Sequence, residues 1–257
     1  HGGLLAALRR TGQFEWLSAR GIEHLFYIQV DNPLAPVADA SIVGRHVLAS
    51  ADVTTLAVRK TDPAEKVGNL VHVGGRTRII EYSDLPADVA ATKTPTGDLA
   101  IWAGNTAMHV FRVAFLERVT AGGVKLPFHR ANKAVAHVDE AGQLVTPKTP
   151  NAIKLERFIF DVLPEADRTL TIEVDPAEAF APLKNPPGSG FCSPEWVKQM
   201  LVERDRRRLA AFGIDVPADH PVEIGPLFAE TDDELAARRD EITKCLASEM
   251  SGSYLST

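Results

Sequence analysis

Asp31 closes the apolar run Leu25-Phe26-Tyr27-Ile28-Gln29-Val30 and is followed by Asn32. A run so rich in aromatic and β-branched residues reads as a strand buried on both faces. That puts an acid at a strand end, where a metal–phosphate complex can be held. The alternative is a plain Asp-Asn turn. Further signals follow in order: Val67-Gly68, Glu81-Tyr82-Ser83-Asp84, Ala103-Gly104-Asn105, and two lysine-bearing segments, Ala152-Ile153-Lys154-Leu155-Glu156 and Pro182-Leu183-Lys184-Asn185. Taken singly, each reads as turn residues or solvated surface charge. Together they supply one acid, two lysines, a Glu and an Asn, a set suited to a phosphorylated, hydroxyl-rich ligand. Attack on a nucleotide phosphate needs charge neutralisation rather than a covalent helper. An Asp can hold Mg²⁺ against phosphate oxygens, and Lys acts on phosphate as a point charge. Glu accepts hydrogen bonds and Asn both donates and accepts, which suits sugar hydroxyls and amides.

These residues need a scaffold. Residues 4–17 read as one helix leading into the strand 25–30, an α-then-β unit as in open parallel sheets, which bind ligands at the carboxyl ends of their strands. A helix is expected over 40–50, a strand over 53–58, and a hairpin of 69–73 with 77–81 across Gly74-Gly75. Residues 86–98 read as a short helix running into a loop, and 99–103 as a short strand stopping at Gly104-Asn105. A helix over 113–121 ends at Gly122-Gly123. Residues 128–138 are extended, and Asn151 is placed as the N-cap of a helix carrying Ile153, Leu155, Phe158, Ile159 and Val162. A strand over 169–174 and a Pro/Gly-rich loop over 185–190 come next. The helix 194–212 has a basic run, Arg204 to Arg208, that reads as its solvated face. From Ala229 onward the chain is charged and helical in character. The expected fold is α/β: a mostly parallel central sheet flanked by helices, with a β-hairpin insertion. Residues 1–190 form the expected catalytic domain and 191–257 a helical extension.

Composition narrows the class of function. With 45% hydrophobic and 24% charged residues, the 257-residue chain can build a substantial core. A net charge of −6 and a pI near 5.8 argue against a general nucleic-acid binder. The two cysteines, Cys192 and Cys245, lack metal-ligand spacing and point to a reducing, cytoplasmic setting. No apolar stretch is long enough to span a bilayer. His46, His72, His109, His129 and His137 show no metal-type pairing and read as packing or surface residues.

The order and wording of these segments resemble the UDP-sugar pyrophosphorylases, and within them the N-acetylhexosamine branch. The resemblance is carried by Val30-Asp31-Asn32, Ile80-Glu81-Tyr82-Ser83-Asp84, Ala103-Gly104-Asn105, Asn151 through Asp161, and Phe180-Ala181-Pro182-Leu183-Lys184-Asn185. It implies a Rossmann-like nucleotide-diphospho-sugar transferase fold and transfer of UMP from UTP to a sugar 1-phosphate, with N-acetylglucosamine 1-phosphate favoured. UDP-glucose or broad-specificity synthesis, and a non-catalytic UDP-sugar-binding relative, are the alternatives. It also implies Asp31 on the UTP side with Mg²⁺, Gly68 giving close backbone approach, and Glu81, Tyr82 and Asn105 at the sugar. Lys154 and Lys184 would neutralise phosphates, and His1 would stand beside the nucleotide. Ala152 occupies a position where the family has glycine. The family's Gly-rich loop is expected upstream of His1, and the C-terminal region is expected to be shortened.

Overall fold

The computed structural model describes residues 1–247 and 253–255. By its internal contacts the chain divides into two compact units, His1–Ile28 with Val37–Val174, and Gln29–Pro36 with Asp175–Thr257. The contact boundary therefore falls after Val174 rather than after residue 190, and the early segment 29–36 is taken up by the second unit. Asn32 accounts for that capture. Its buried side chain donates to the Ala179 carbonyl at 2.9 Å and accepts from the Ala181 N–H at 2.9 Å.

In the first unit, helices α1 (Gly3–Arg10) and α2 (Gln13–Ser18) replace the single helix expected over 4–17. Gly12 separates them at φ +68, a conformation that glycine adopts without a Cβ clash and that no helix interior holds. Both helices bury apolar residues, Leu5 from the first and Phe14 and Leu17 from the second. Strand β1 (His24–Tyr27) follows, then α3 (Ala40–Leu48), whose N-cap Asp39 accepts from the Ser41 and Ile42 N–H groups. Strands β2 (Val53–Arg59), β3 (Asn69–Val73) and β4 (Arg76–Ile80) come next, then α4 (Ala87–Ala90), β5 (Ala103–Arg112) and α5 (Val113–Thr120). The short pieces β6 (His129–Lys133), β7 (His137–Val138), β8 (Leu144–Val145) and β9 (Ala152–Glu156) precede a 3₁₀ helix, Ile159–Glu165, and β10 (Thr169–Glu173).

The central sheet runs β10-β2-β5-β3-β4, with β1 also on β5. It is flanked by helices, as an α/β fold requires, but it is not mostly parallel. Among the described residues of this sheet only β10 with β2 is parallel; every other pairing is antiparallel. Two features impose this. The tight hairpin at Gly74-Gly75 forces β3 and β4 to oppose, and the ten-residue β5 lies antiparallel to all three of its neighbours.

The extent of β5 also corrects the short strand expected over 99–103. Gly104 and Asn105 do not end a strand; they sit inside one. At Ala107, φ +58, β5 bulges and its register on β2 shifts between Leu56 and Ala57. The Asn105 side chain closes that bulge by accepting from the Ala107 N–H at 3.0 Å. The bulge also accounts for β1, which pairs from His24↔Arg112 to Tyr27↔His109 and stops there. The strand expected over 25–30 is therefore only half-buried and shorter, and Val30 is fully exposed.

The helix expected after Asn151 is instead β9, hydrogen-bonded to β6 from His129↔Glu156 to Lys133↔Ala152. Asn151 ties the pair at Val135, accepting from its N–H and donating to its carbonyl. The core of this unit gathers Leu5, Phe14, Val53, Phe111, Phe115, Leu116, Ile159 and Leu163.

The second unit holds α6 (Pro176–Ala179), α7 (Pro194–Ala211), β11 (Val222–Ile224), α8 (Asp232–Ala237), α9 (Arg239–Ala247) and β12 (Ser253–Leu255), with β11 and β12 parallel. Ser193 caps α7 and Pro194 opens it. Leu209, Ile214, Val222, Ile224, Phe228, Leu235 and Ile242 make its core. The run Arg204–Arg208 is not a free solvated face. Arg204 pairs with Asp205, Arg206 with Glu203, Arg207 with Glu178 and Arg208 with Asp232. Asp205 is buried and accepts from the Ile224 N–H at 2.8 Å, which fixes β11 on the helix.

Candidate active site

Three of the nominated residues meet where β3, β4 and β5 join. Asn69 opens β3 and pairs with both Ile80 of β4 and Gly104 of β5. Gly68, Glu81 and Asn105 each adjoin one member of that triplet. The Asn105 N–H donates to the Gly68 carbonyl at 2.7 Å. A Cβ on Gly68 would stand 2.9 Å from Ile79 Cγ2 and 3.3 Å from Glu81 Oε1, so a glycine is what lets the carboxylate lie against this backbone. Burial pushes the Glu81 carboxyl's pKa up, with Asp84, Asp161 and Glu156 adding to the rise and His129 opposing it. The Asn105 carbonyl oxygen is spent on the bulge, so the side-chain NH₂ is the arm left to donate. Tyr82 is exposed.

His129, which the sequence read as a packing or surface residue, and Asp161 belong to this neighbourhood. The His129 Nε2 lies 2.9 Å from Asp161 Oδ2, and its ring packs 4.7 Å from Phe158. His129 is thus a packing residue, as its sequence context suggested, that also pairs with Asp161. His1 sits on the same aromatic group, with ring centroids 5.1 Å from Phe158 and 5.7 Å from Phe160. The Ile159 N–H donates to its Nδ1 at 3.2 Å, which leaves Nε2 to carry the proton of the neutral ring. Lys154, on β9, is exposed and pairs with Glu156 at 2.9 Å.

In the second unit the structure brings Asp31 and Lys184 together. Asp31 lies four residues past the end of β1, in a turn in which the Asn32 N–H donates to the Gln29 carbonyl. The Leu183 N–H donates to the Asp31 carbonyl at 2.7 Å, and the Lys184 Nζ bonds Asp31 Oδ2. The loop behind the lysine is closed by the Lys184 and Asn185 N–H groups, which both donate to the Cys192 carbonyl at 3.0 Å. Asp31 Oδ1 is buried and meets no hydrogen-bond donor among the described residues. One carboxylate oxygen held by an ammonium and the other unpaired is a donor set that fits Mg²⁺, which takes one or two carboxylates and completes its shell with water and phosphate. No cluster of three or more His, Cys, Asp or Glu suited to a metal occurs among the described residues. No helix among the described residues is long and apolar enough to cross a membrane.

Comparison with known proteins identifies the family of the chain. Residues 1–188 match the family model described as UTP–glucose-1-phosphate uridylyltransferase. The probable UDP-N-acetylglucosamine pyrophosphorylase of Caenorhabditis elegans is 41% identical over 185 residues, covering 72% of this chain and 38% of that protein. The UDP-N-acetylglucosamine pyrophosphorylase of Saccharomyces cerevisiae is 36% identical over 199 residues, covering 76% and 42%. The chain therefore spans about two fifths of the length of these curated relatives. The crystal structure of a candidate UDP-N-acetylglucosamine pyrophosphorylase from Entamoeba histolytica superposes with a TM-score of 0.82 at 28% identity, over 92% of this chain and 59% of that one. The matched residues include both nominated groups, and on that match this chain belongs to the UTP–glucose-1-phosphate uridylyltransferase family, the UDP-sugar pyrophosphorylases.

Proposed function

We propose that this protein transfers UMP from UTP to a sugar 1-phosphate, favouring N-acetylglucosamine 1-phosphate, and releases pyrophosphate. The observation that carries the reading is the Asp31–Lys184 pair with its unpaired, buried Asp31 Oδ1. A phosphate oxygen of the sugar 1-phosphate forms a bond to the α-phosphorus of UTP in line with the departing group. The bond from that phosphorus to the bridging oxygen breaks, and pyrophosphate leaves with the electron pair. No covalent enzyme intermediate is required. Asp31 would hold Mg²⁺, which supplies charge neutralisation on phosphate oxygens. Lys184 and Lys154 act as fixed positive charges on phosphate. Glu81 accepts from sugar hydroxyls, Asn105 donates through its side-chain NH₂, and Gly68 keeps the wall low. Tyr82 lies beside them, and His1 contacts the nucleotide from its aromatic seat.

The preference for the N-acetylated sugar is supported by the names of the matched relatives and by the Glu81-Tyr82-Ser83 and Gly104-Asn105 wording. Pyrophosphate release by the full-length protein from UTP, with N-acetylglucosamine 1-phosphate and glucose 1-phosphate at matched concentrations, tests it. We expect the first to be preferred by roughly tenfold or more, the scale one pocket-sized difference supports. A preference for glucose 1-phosphate would overturn the specificity, and no release with either would overturn the activity.

A further inference from the structure

Lys60, the residue just past β2, is a buried lysine, 3% exposed. Its Nζ donates to Asn69 Oδ1 at 2.6 Å. Asn69 is itself 1% exposed, and its Nδ2 donates to the Ile80 carbonyl at 3.2 Å. The lysine stem also lies against the third strand of the junction: its Cγ is 3.4 Å from where a side chain on Gly104 would begin. One side chain therefore reaches, directly or through Asn69, all three positions that Gly68, Glu81 and Asn105 adjoin. An apolar stem could fill the same space without the cost of burying an ammonium. What it could not do is fix the Asn69 amide so that its oxygen faces β2 and its nitrogen holds the peptide before Glu81.

We propose that Lys60 is a positioning residue for the sugar 1-phosphate: through Asn69 it sets the backbone from which Gly68, Glu81 and Asn105 are presented. The sugar-facing role of those three residues rests on the function proposed above; the link from Lys60 to the junction does not. Burial lowers the pKa of the Lys60 ammonium, while Glu65 and Asp62 on the following loop raise it. Those two acids offset part of the desolvation.

The test uses the full-length protein and Lys60→Met, with Asn69→Leu as the approach from the other side should the first fail to fold. Michaelis constants are measured for each substrate, and amide hydrogen exchange is followed residue by residue. In either variant the KM for N-acetylglucosamine 1-phosphate should rise on the order of tenfold, as for the loss of one charge-assisted hydrogen bond, while the KM for UTP stays put. Exchange should quicken at the Asn105 amide, which donates to Gly68, and stay unchanged along β10 and β2. The double variant should be no worse than the more severe single one, since both cut one chain of contacts. Equal rises in both Michaelis constants, or exchange that quickens uniformly across the sheet, would reduce Lys60 to general stabilisation and overturn the proposal. A wild-type protein with no transferase activity would sink the proposed function alone, because the exchange measurement still decides whether Lys60 orders the junction.

Discussion

In the first unit the nominated residues Gly68, Glu81 and Asn105 lie in or next to ladder backbone, with a peptide hydrogen bond between two of them and a glycine whose replacement would collide with Ile79 and crowd the third. In the second unit Asp31 and Lys184 stand on loops, joined by one backbone hydrogen bond and an ion pair whose partners are both part-exposed. The first group is assembled from the same bonds that hold the sheet. The second is laid over a fold that would stand without it. Activity and stability are therefore coupled in one region and separable in the other.

The largest expected effect tests that separability. Asp31→Asn keeps the shape of the side chain and the carbonyl that Leu183 uses, but removes the charge. Turnover of the full-length protein should fall by orders of magnitude. The melting temperature should barely move, because a part-exposed ion pair contributes about 0–1 kcal/mol. Near-normal turnover at saturating Mg²⁺ would return Asp31 to a turn residue.

Lys184→Ala should lower turnover strongly too, again with little change in melting. Steady-state rates beside thermal melts decide it; a loss of rate that merely tracks a loss of folded protein would erase the contrast between the two regions.

Gly68→Ala sharpens the comparison from the other side. A methyl 2.9 Å from Ile79 Cγ2 must displace its neighbours. The variant should lose about 1–3 kcal/mol of stability in a denaturant melt and bind the sugar phosphate more weakly. A variant as stable as wild type with unchanged affinity would show that the junction is looser than its packing implies.

The smallest effect concerns Glu81. Its carboxyl's pKa is raised by burial and neighbouring acids, so the native state binds its proton more tightly than the unfolded chain does. Stability from this group is then fully present below the ordinary glutamate range and is lost as pH rises from that range through the raised native value. Glu81→Gln should remove that slope and leave the protein slightly more stable at neutral pH, while weakening sugar-phosphate binding. Denaturant melts of both proteins at several pH values should show the wild-type curve falling where the variant's is flat; parallel curves would contradict the burial of the charge.

What the sequence made legible followed how local each feature is. The hairpin across Gly74-Gly75, the helix over Ala40–Leu48 and the α7 helix with its Ser193-Pro194 start are written in neighbouring residues, and all three form. Ile153, Leu155, Phe158, Ile159 and Val162 fit a helical spacing, but β6 supplies a partner and the first of these residues become a strand. Strand direction was the least legible feature, since it depends on a partner far along the chain. Gly104-Asn105 reads as a turn by residue type, whereas Asn105 spends its side chain inside a strand, closing a bulge. In the site, residue types were legible but meetings were not: nothing near Asp31 announces Lys184. Lys60 carried no signal, because a lone lysine after a strand reads as surface charge, and only the fold puts it inside.

The capture of residues 29–36 by the second unit has a consequence for how the chain matures. Asn32 is satisfied by Ala179 and Ala181, 147 and 149 residues further on. During synthesis at ~5–20 residues per second, that segment leaves the ribosome roughly seven to thirty seconds before its partners do. The strand before it and the helix after it can find their places in the first unit meanwhile. Asp31 is therefore made early, yet the carboxylate meets its partner only once the polypeptide has been completed beyond Lys184.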